Sequence, residues 1–397
     1  MRVSNQTYKK ENNKTIVVFD FFCGCGGTSL GFQMSGMKIV WALDNNSVAA
    51  KTYQMNFPDV QFHCKDIAKI EDKDLTPLFN KYNKSIRLFC GCAPCQPFTK
   101  QKTQKKSKDQ DDRYPLLISF AAVVKKYTPE LVFIENVPGV QYQTADEPGP
   151  FQTFLKTLED LKYSIKCGVV RAQDYGAAQI RHRFILLASK ISDISLPPIT
   201  HGETGDKQLK KYVTVRDKIA DLPPIAAGQM FVDPNGKIHN HKASSLSELN
   251  LKRIQATSPD GGNRLNWPAN LQLKCHLKQK KNNPHLHKNN KTSTHNGTSG
   301  HTDVYGRLWW DRPATGLTTR CNSYSNGRFG HPEQDRAISI REAARLQGFS
   351  DDFVFSGSIV DMAKQIGNAV PIPLARAVGQ HFNSIVFSNK NNRKGHL

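Results

Sequence analysis

The chain has 397 residues, with 38% hydrophobic residues, 55 Lys and Arg against 34 Asp and Glu, and a formal net charge of +21. That length suits two to three domains with a buried core, and the absence of any apolar run long enough to span a bilayer argues against a membrane-spanning protein. The basic excess favours a polyanionic partner, because each Lys or Arg placed on a phosphate releases a counterion, but it names no chemistry.

The N-terminal stretch Met1 to Lys14 is polar and lacks the apolar core of a signal peptide. Nine cysteines, an odd number, then predict reduced thiols in a cytoplasmic setting. Ile16 to Phe22 is an apolar, β-branched and aromatic run that reads as a buried parallel strand. A glycine-rich turn leads into a helix over Thr28 to Ser35. A second strand follows over Lys38 to Leu43, then a helix over Ser47 to Asn56. Ile86 to Cys90 and Leu131 to Glu135 are further strands, separated by a helix over Leu116 to Tyr127, and Arg183 to Ser189 is a later strand. Strands alternating with helices predict an α/β fold with a doubly wound, mostly parallel sheet.

The pattern changes after Ser189. From Leu196 to about His301 the chain is irregular, and Lys278 to His301 is close to low complexity. Cys275, His276, His285, His287, His295 and His301 fall there without a recognised zinc spacing. Cys23, Cys25, Cys90, Cys92 and Cys95 likewise lack it, so no metal is expected. Helical spacing returns over Ser339 to Gln347. A Gly-Asn-Ala-Val-Pro turn is predicted to enter a helix within Gln365 to Val378, and Asn389 to Leu397 is a polar tail.

Two places carry candidate chemistry. Asp20-Phe21-Phe22-Cys23-Gly24-Cys25-Gly26-Gly27 lies between a strand and a helix, where glycines let the backbone turn sharply and approach a ligand. Asp44 ends the second strand twenty residues past Gly24, placed to accept hydrogen bonds from ribose hydroxyls. Together they predict an adenosine-containing cofactor, without separating a nicotinamide dinucleotide from S-adenosylmethionine. The second place is Gly91-Cys92-Ala93-Pro94-Cys95-Gln96-Pro97-Phe98-Thr99, at a strand end. Pro94 and Pro97 stiffen the backbone around Cys95, a candidate nucleophile.

Pro94-Cys95-Gln96 followed by Phe98 resembles the catalytic loop of the carbon-5 cytosine methyltransferases. Five other blocks resemble that family in the same order: Phe22 to Gly27, Glu135-Asn136-Val137, Gln179-Ile180-Arg181-His182-Arg183, Arg341 to Phe349, and Gln365 to Pro371. Residues 190 to 305 are left unmatched. Ala93, Thr99 and Ser350 depart from residues frequent in the family, but none of the three is a reacting group.

The resemblance implies the fold of S-adenosylmethionine-dependent methyltransferases, and transfer of a methyl group to carbon 5 of a cytosine in duplex DNA. It implies a Cys95 thiolate that adds to carbon 6 of a base flipped from the helix. Glu135 would hydrogen-bond the ring nitrogen and exocyclic amine, and Asn136 would orient Glu135. Arg183, with Arg181, would meet the cytosine carbonyl or a flanking phosphate, and Gln96 would help fill the gap left in the duplex. For the cofactor, Phe22 would stack on the adenine at the turn formed by Gly24, Gly26 and Gly27. Asp44 would bind the ribose, Asp66 beside Ile67 would meet the adenine amine, and Pro94, Asn368 and Ala369 would line the methionine end. The basic run Lys100 to Lys108 is expected to close over DNA.

Residues 1–189 and 336–397 are assigned to a catalytic and cofactor-binding domain, its C-terminal segment folding back. Residues 190–335 are assigned to a smaller irregular target-recognition domain. The lack of further regulatory domains suggests a cytoplasmic bacterial modification enzyme beside a separate restriction endonuclease. Its competitors are a tRNA cytosine-5 methyltransferase of the same family and a catalytically silent DNA-binding protein. An exocyclic-amine methylase would need an Asp/Asn-Pro-Pro-Tyr/Phe loop where this chain has Ala93-Pro94-Cys95-Gln96, and a dehydrogenase finds no site to accept a hydride.

Overall fold

The computed structural model describes residues 15–93, 116–140, 149–205, 208–273 and 303–388. The chain divides into two compact units. One comprises Met1–Val170, His182–Pro198 and Val370–Leu397, the other Arg171–Arg181 and Ile199–Ala369. Among the described residues no helix is long and apolar enough to cross a membrane.

The first unit is built on β1 (Ile16–Phe21), β2 (Lys38–Asp44), β3 (Gln61–Cys64), β4 (Ile86–Gly91), β5 (Leu131–Asn136), β6 (Ser164–Arg171) and β8 (His182–Ser189). They form a seven-stranded sheet in the order β3-β2-β1-β4-β5-β8-β6. The pairings from β3 through β5 are parallel, and β8 runs antiparallel to β5. Every residue of β1 and β5 is buried, as expected of central strands that are apolar apart from Asp20 in β1 and Glu135-Asn136 at the end of β5. Phe19, Phe21, Trp41, Phe89, Phe120 and Phe154 join one core. The strand order reverses between β1 and β4, and in open α/β sheets ligands settle outside the carboxyl ends of the strands at that switch.

The helices of this unit are α1 (Gly27–Met34), α2 (Ser47–Asn56), α3 (Asp72–Lys81), α4 (Leu116–Tyr127), α5 (Pro150–Asp160) and the C-terminal α10 (Ile372–Ser388). The Asn46 side chain caps α2, accepting from the N–H groups of Val48 and Ala49. The C-terminal helix α10 packs on α1, where the Asn383 amide donates to the Ser35 carbonyl at 2.8 Å.

The second unit has little regular structure: β7 (Gln179–Ile180) pairs with β11 (Ala314–Thr315), and β9 (His201–Gly202) with β10 (Lys210–Lys211). Its helices are α6 (Arg216–Ile219), α7 (Glu248–Gln255), α8 (Ile340–Gln347) and α9 (Ile359–Asn368). A small core of Ile254, Trp267, Leu271, Tyr324 and Ala337 is braced by buried arginines. Arg307 donates to the carbonyls of Ile254, Thr257, His331 and Gln334. Arg341 donates to those of His239, Ser350 and Phe353. Arg336 grips the Glu342 carboxylate with both terminal nitrogens at 2.7 Å. A guanidinium with several fixed donors can tie together loops that have no ladder to satisfy their carbonyls.

Two features differ from the sequence expectations, and the braces explain the first. Residues 336–369 lie in the second unit, although the sequence boundary puts them with the catalytic domain, because Arg336 and Arg341 bond back to Ile225 and His239. Gly367 is not part of a turn. Helix α9 runs through it to Asn368, and only Ala369 to Pro371 make the connection to α10.

Candidate active site

The loops at the carboxyl ends of β1 and β2 meet through Asp44. Its Oδ2 accepts the Gly24 N–H at 2.8 Å, and its Oδ1 accepts the Asn46 N–H at 2.8 Å. Burial pushes the Asp44 carboxyl up, while the N–H groups of Asn46, Gly24 and Asn45 pull it back. A carboxylate has about four lone-pair sites, so acceptor capacity remains for a ligand hydroxyl. The turn itself is tightly wound. Phe22 has φ 60°, Gly24 φ 54° and Gly26 φ 100°, and the Gly26 N–H bonds the Cys23 carbonyl at 2.9 Å before Gly27 opens α1. Among the described residues, nothing lies within 4 Å of where a Gly24 Cβ would point. A half-buried Phe22 stands at the mouth of the turn, its ring edge-on to Phe120 at 6.4 Å. Asp66 follows β3 on the same sheet edge. One of its oxygens accepts the Ala68 N–H at 2.9 Å, and Ile67 is buried in the core. Open space above a glycine, a part-used carboxylate and an aromatic ring together fit an adenosine moiety.

At the neighbouring strand ends, Glu135 and Asn136 close β5. Arg183, on β8, sets its Nε 2.6 Å from Glu135 Oε1 and donates from Nη1 to the His182 carbonyl at 2.8 Å. The Asn136 amide donates to the Ala93 carbonyl at 3.2 Å, and its oxygen accepts the Val137 N–H at 2.9 Å. These contacts tie Asn136 to the root of the segment after β4, rather than to the Glu135 carboxylate that it was expected to orient. Pro94, Cys95, Gln96 and the basic run Lys100 to Lys108 lie outside the described residues, as do Cys275 and the five histidines from His276 to His301. Burial pushes the thiols of Cys23 and Cys90 well above the usual range, and that of Cys25 up to about 12, so these cysteines are neutral packing groups.

Arg181 departs from the expectation that it joins Arg183 on the substrate. The strand breaks at Arg181, between β7 and β8, and its guanidinium is spent within its own unit, the second, donating to the carbonyls of Leu317 and Gly367. Gln179 faces the same way. It bonds the Gln347 side chain, and its Oε1 accepts the Leu317 N–H at 3.1 Å. Asn368 is exposed at the end of α9 and Ala369 is buried. The sequence reading missed the fully buried Asp20, whose Oδ2 accepts the Ser29 hydroxyl at 2.6 Å and whose carboxyl is pushed up to about 7 by burial. An acid inside an otherwise apolar strand is the signal that points to it.

The chain is similar to known proteins over nearly its whole length. The chain is 36% identical to the Type II methylase M.HgiDII of Herpetosiphon aurantiacus, across 91% of this chain and 94% of that one. It is 30% identical to the Type II methyltransferase M.Eco47II of Escherichia coli, across 94% and 79%. Its fold matches that of a candidate DNA modification methyltransferase encoded within an E. coli prophage, with a TM-score of 0.67 at 22% identity, covering 94% of this chain and 99% of that one. The family model for C-5 cytosine-specific DNA methylases matches residues 16–384, and the chain belongs to that family.

Proposed function

We propose that this methylase acts through Cys95, with Glu135 and Arg183 holding the base and Asn136 holding the root of the nucleophile loop. The observation that carries this reading is the pair of contacts at the end of β5: Glu135 with Arg183, and Asn136 with the Ala93 carbonyl two residues before Cys95. Carbon 5 of cytosine is a poor nucleophile. Addition of the Cys95 thiolate to carbon 6 forms an S–C bond and turns the ring into an enamine whose carbon 5 is electron-rich. Glu135 hydrogen-bonds the ring nitrogen and exocyclic amine, favouring the protonated adduct, and Arg183 meets the ring carbonyl. S-adenosylmethionine, the family's methyl donor, supplies the methyl group to carbon 5 when bound. Loss of the carbon-5 proton then re-forms the ring double bond as the Cys95 thiolate leaves. Gln96 occupies the gap in the duplex left by the flipped base, whose unstacking costs a few kcal/mol.

Gly24, Gly26 and Gly27 shape the cofactor turn. Phe22 stacks on the adenine, Asp44 binds the ribose and Asp66 the adenine amine, with Ile67 behind it. Arg181 serves instead as a positioning residue that holds the Gly367 carbonyl next to Asn368. The second unit reads the target sequence. Its buried arginines are occupied with loop carbonyls, so its phosphate contacts fall to exposed groups such as Lys242, Lys252, Arg312 and Arg320.

A duplex carrying 5-fluorocytosine at the target tests the nucleophile. Fluorine at carbon 5 blocks the final proton loss, so the adduct accumulates with a mass equal to enzyme plus methylated DNA. Cys95→Ala forms none. The Type II relatives support a place in restriction–modification, with a cognate endonuclease acting separately. A source-cell extract that cuts unmodified DNA but spares DNA treated with this enzyme supports that pairing. An extract that cuts both alike removes it.

A further inference from the structure

Beneath the turn at residues 22–27 runs a buried hydrogen-bond chain that none of these roles uses. The Ser29 hydroxyl donates to Asp20 Oδ2 at 2.6 Å, and the Tyr53 hydroxyl lies 2.8 Å from Ser29 Oγ. Ser29 has a single hydrogen and gives it to Asp20, so Tyr53 is the donor to Ser29. All three residues are fully buried. A phenylalanine would fill the space of Tyr53 equally well, and burying a hydroxyl is costly unless it is bonded. Packing alone therefore does not account for the Tyr53 hydroxyl.

Its surroundings do. A Cβ on Gly26 would stand 2.4 Å from Phe57 Cε2 and 3.2 Å from Tyr53 Cδ2, so the rings of Tyr53 on α2 and of Phe57 just after it are the wall against which the turn is folded. The other end of α2 is tied to the same site, since Asn46, its cap, gives its own backbone N–H to Asp44. A shift of α2 would move Gly26 and Asp44 together.

We propose that Tyr53 is a positioning residue for the methyl donor. Through Ser29 and Asp20 its hydroxyl anchors α2 to β1, which fixes the turn and the carboxylate that face the cofactor. The proposal rests on the reading of that turn as the S-adenosylmethionine site. Full-length Tyr53→Phe and Ser29→Ala test it by isothermal titration with S-adenosylmethionine, cofactor-free DNA binding, and steady-state kinetics. The expected result for Tyr53→Phe is about tenfold weaker cofactor binding, the size of one lost buried hydrogen bond. The cofactor KM rises by the same factor, while kcat and DNA affinity stay within twofold. Ser29→Ala behaves alike, and the double variant is no worse than either single one, because all remove one chain. Cofactor binding within twofold of wild type in Tyr53→Phe overturns the proposal, as does an equal loss of DNA affinity, which would mark general loosening. Failure of the wild-type protein to bind S-adenosylmethionine would instead overturn the reading of the turn, and the proposal with it.

Discussion

Arg183 and Glu135 form an ion pair at 2.6 Å with both side chains mostly shielded from solvent, so the carboxylate is held at the strand end before any base arrives. A buried carboxylate left without its partner is costly, which makes the two residues one unit. Glu135→Gln is expected to lower kcat by at least about a hundredfold, the usual scale for a lost proton-handling group, with cofactor affinity within twofold. Arg183→Ala is expected to lower kcat to a similar degree. The double variant should be far less than multiplicatively worse, and single-turnover kinetics on the four proteins measure this directly.

Arg181 should behave differently from Arg183. It is buried and spends two donors on backbone carbonyls of the second unit. Arg181→Ala leaves those acceptors unpaired and is expected to cost about 3 kcal/mol of stability. Arg181→Lys should recover little of this, because an ammonium cannot span two carbonyls as the fork does. Urea unfolding of the three proteins checks it, and a wild-type midpoint in Arg181→Ala would return Arg181 to the substrate.

The sequence carried the first unit well and the second poorly, for physical reasons. Helices α2 and α4 run over the residues that their patterning predicts, and strands β2 and β5 end in Asp44 and Asn136, each one residue past expectation. Strand β3, Gln-Phe-His-Cys, leaves no clear signal in the sequence because it is short and on the sheet edge, without an apolar run. Helix α3 carries Pro77 inside it. In the second unit Arg307, Arg336 and Arg341 have the composition of a DNA-binding surface, yet all are buried, a distinction made by carbonyls distant in sequence. The split between Arg181 and Arg183 was hidden for the same reason: they share a strand-like spacing, and only the break between β7 and β8 turns them apart.

The Gly-Asn-Ala-Val-Pro sequence predicts a turn at Gly367, but Gly367 instead makes a close contact inside α9. A Cβ there would sit 2.3 Å from the Thr318 carbonyl oxygen, and that neighbour is backbone rather than a flexible side-chain tip. Gly367→Ala is expected to destabilise the protein by about 1–3 kcal/mol through overpacking, despite alanine's better helix propensity. Chemical denaturation measures this, and a gain in stability would show that the Thr318 segment yields freely.

Acid stability should depend on His331 and Glu342. Burial holds His331 down at about 4 against an ordinary 6.5. The native protein therefore binds fewer protons than the unfolded chain, and stability falls as pH drops from about 6.5 to 4. The Arg336 pair, outweighing burial, holds Glu342 at about 2 against 4.5, which adds a further loss between those values. Asp20 has the opposite sign. Its carboxyl is raised to about 7 from 3.8, so its contribution is complete below 3.8 and is lost as pH climbs to 7. Thermal melts across pH should show His331→Asn flattening the acid limb and Asp20→Asn flattening the slope between pH 4 and 7. Slopes unchanged from wild type would contradict these assignments.

The reaction is decided by the identity of the base that receives the methyl group. Purified wild-type and Cys95→Ala proteins are incubated with duplex DNA and methyl-labelled S-adenosylmethionine, and the DNA is then digested to nucleosides. The wild type is expected to put label in 5-methylcytosine, and Cys95→Ala none. Label on an exocyclic amine, label in RNA but not DNA, or full activity in Cys95→Ala would contradict it.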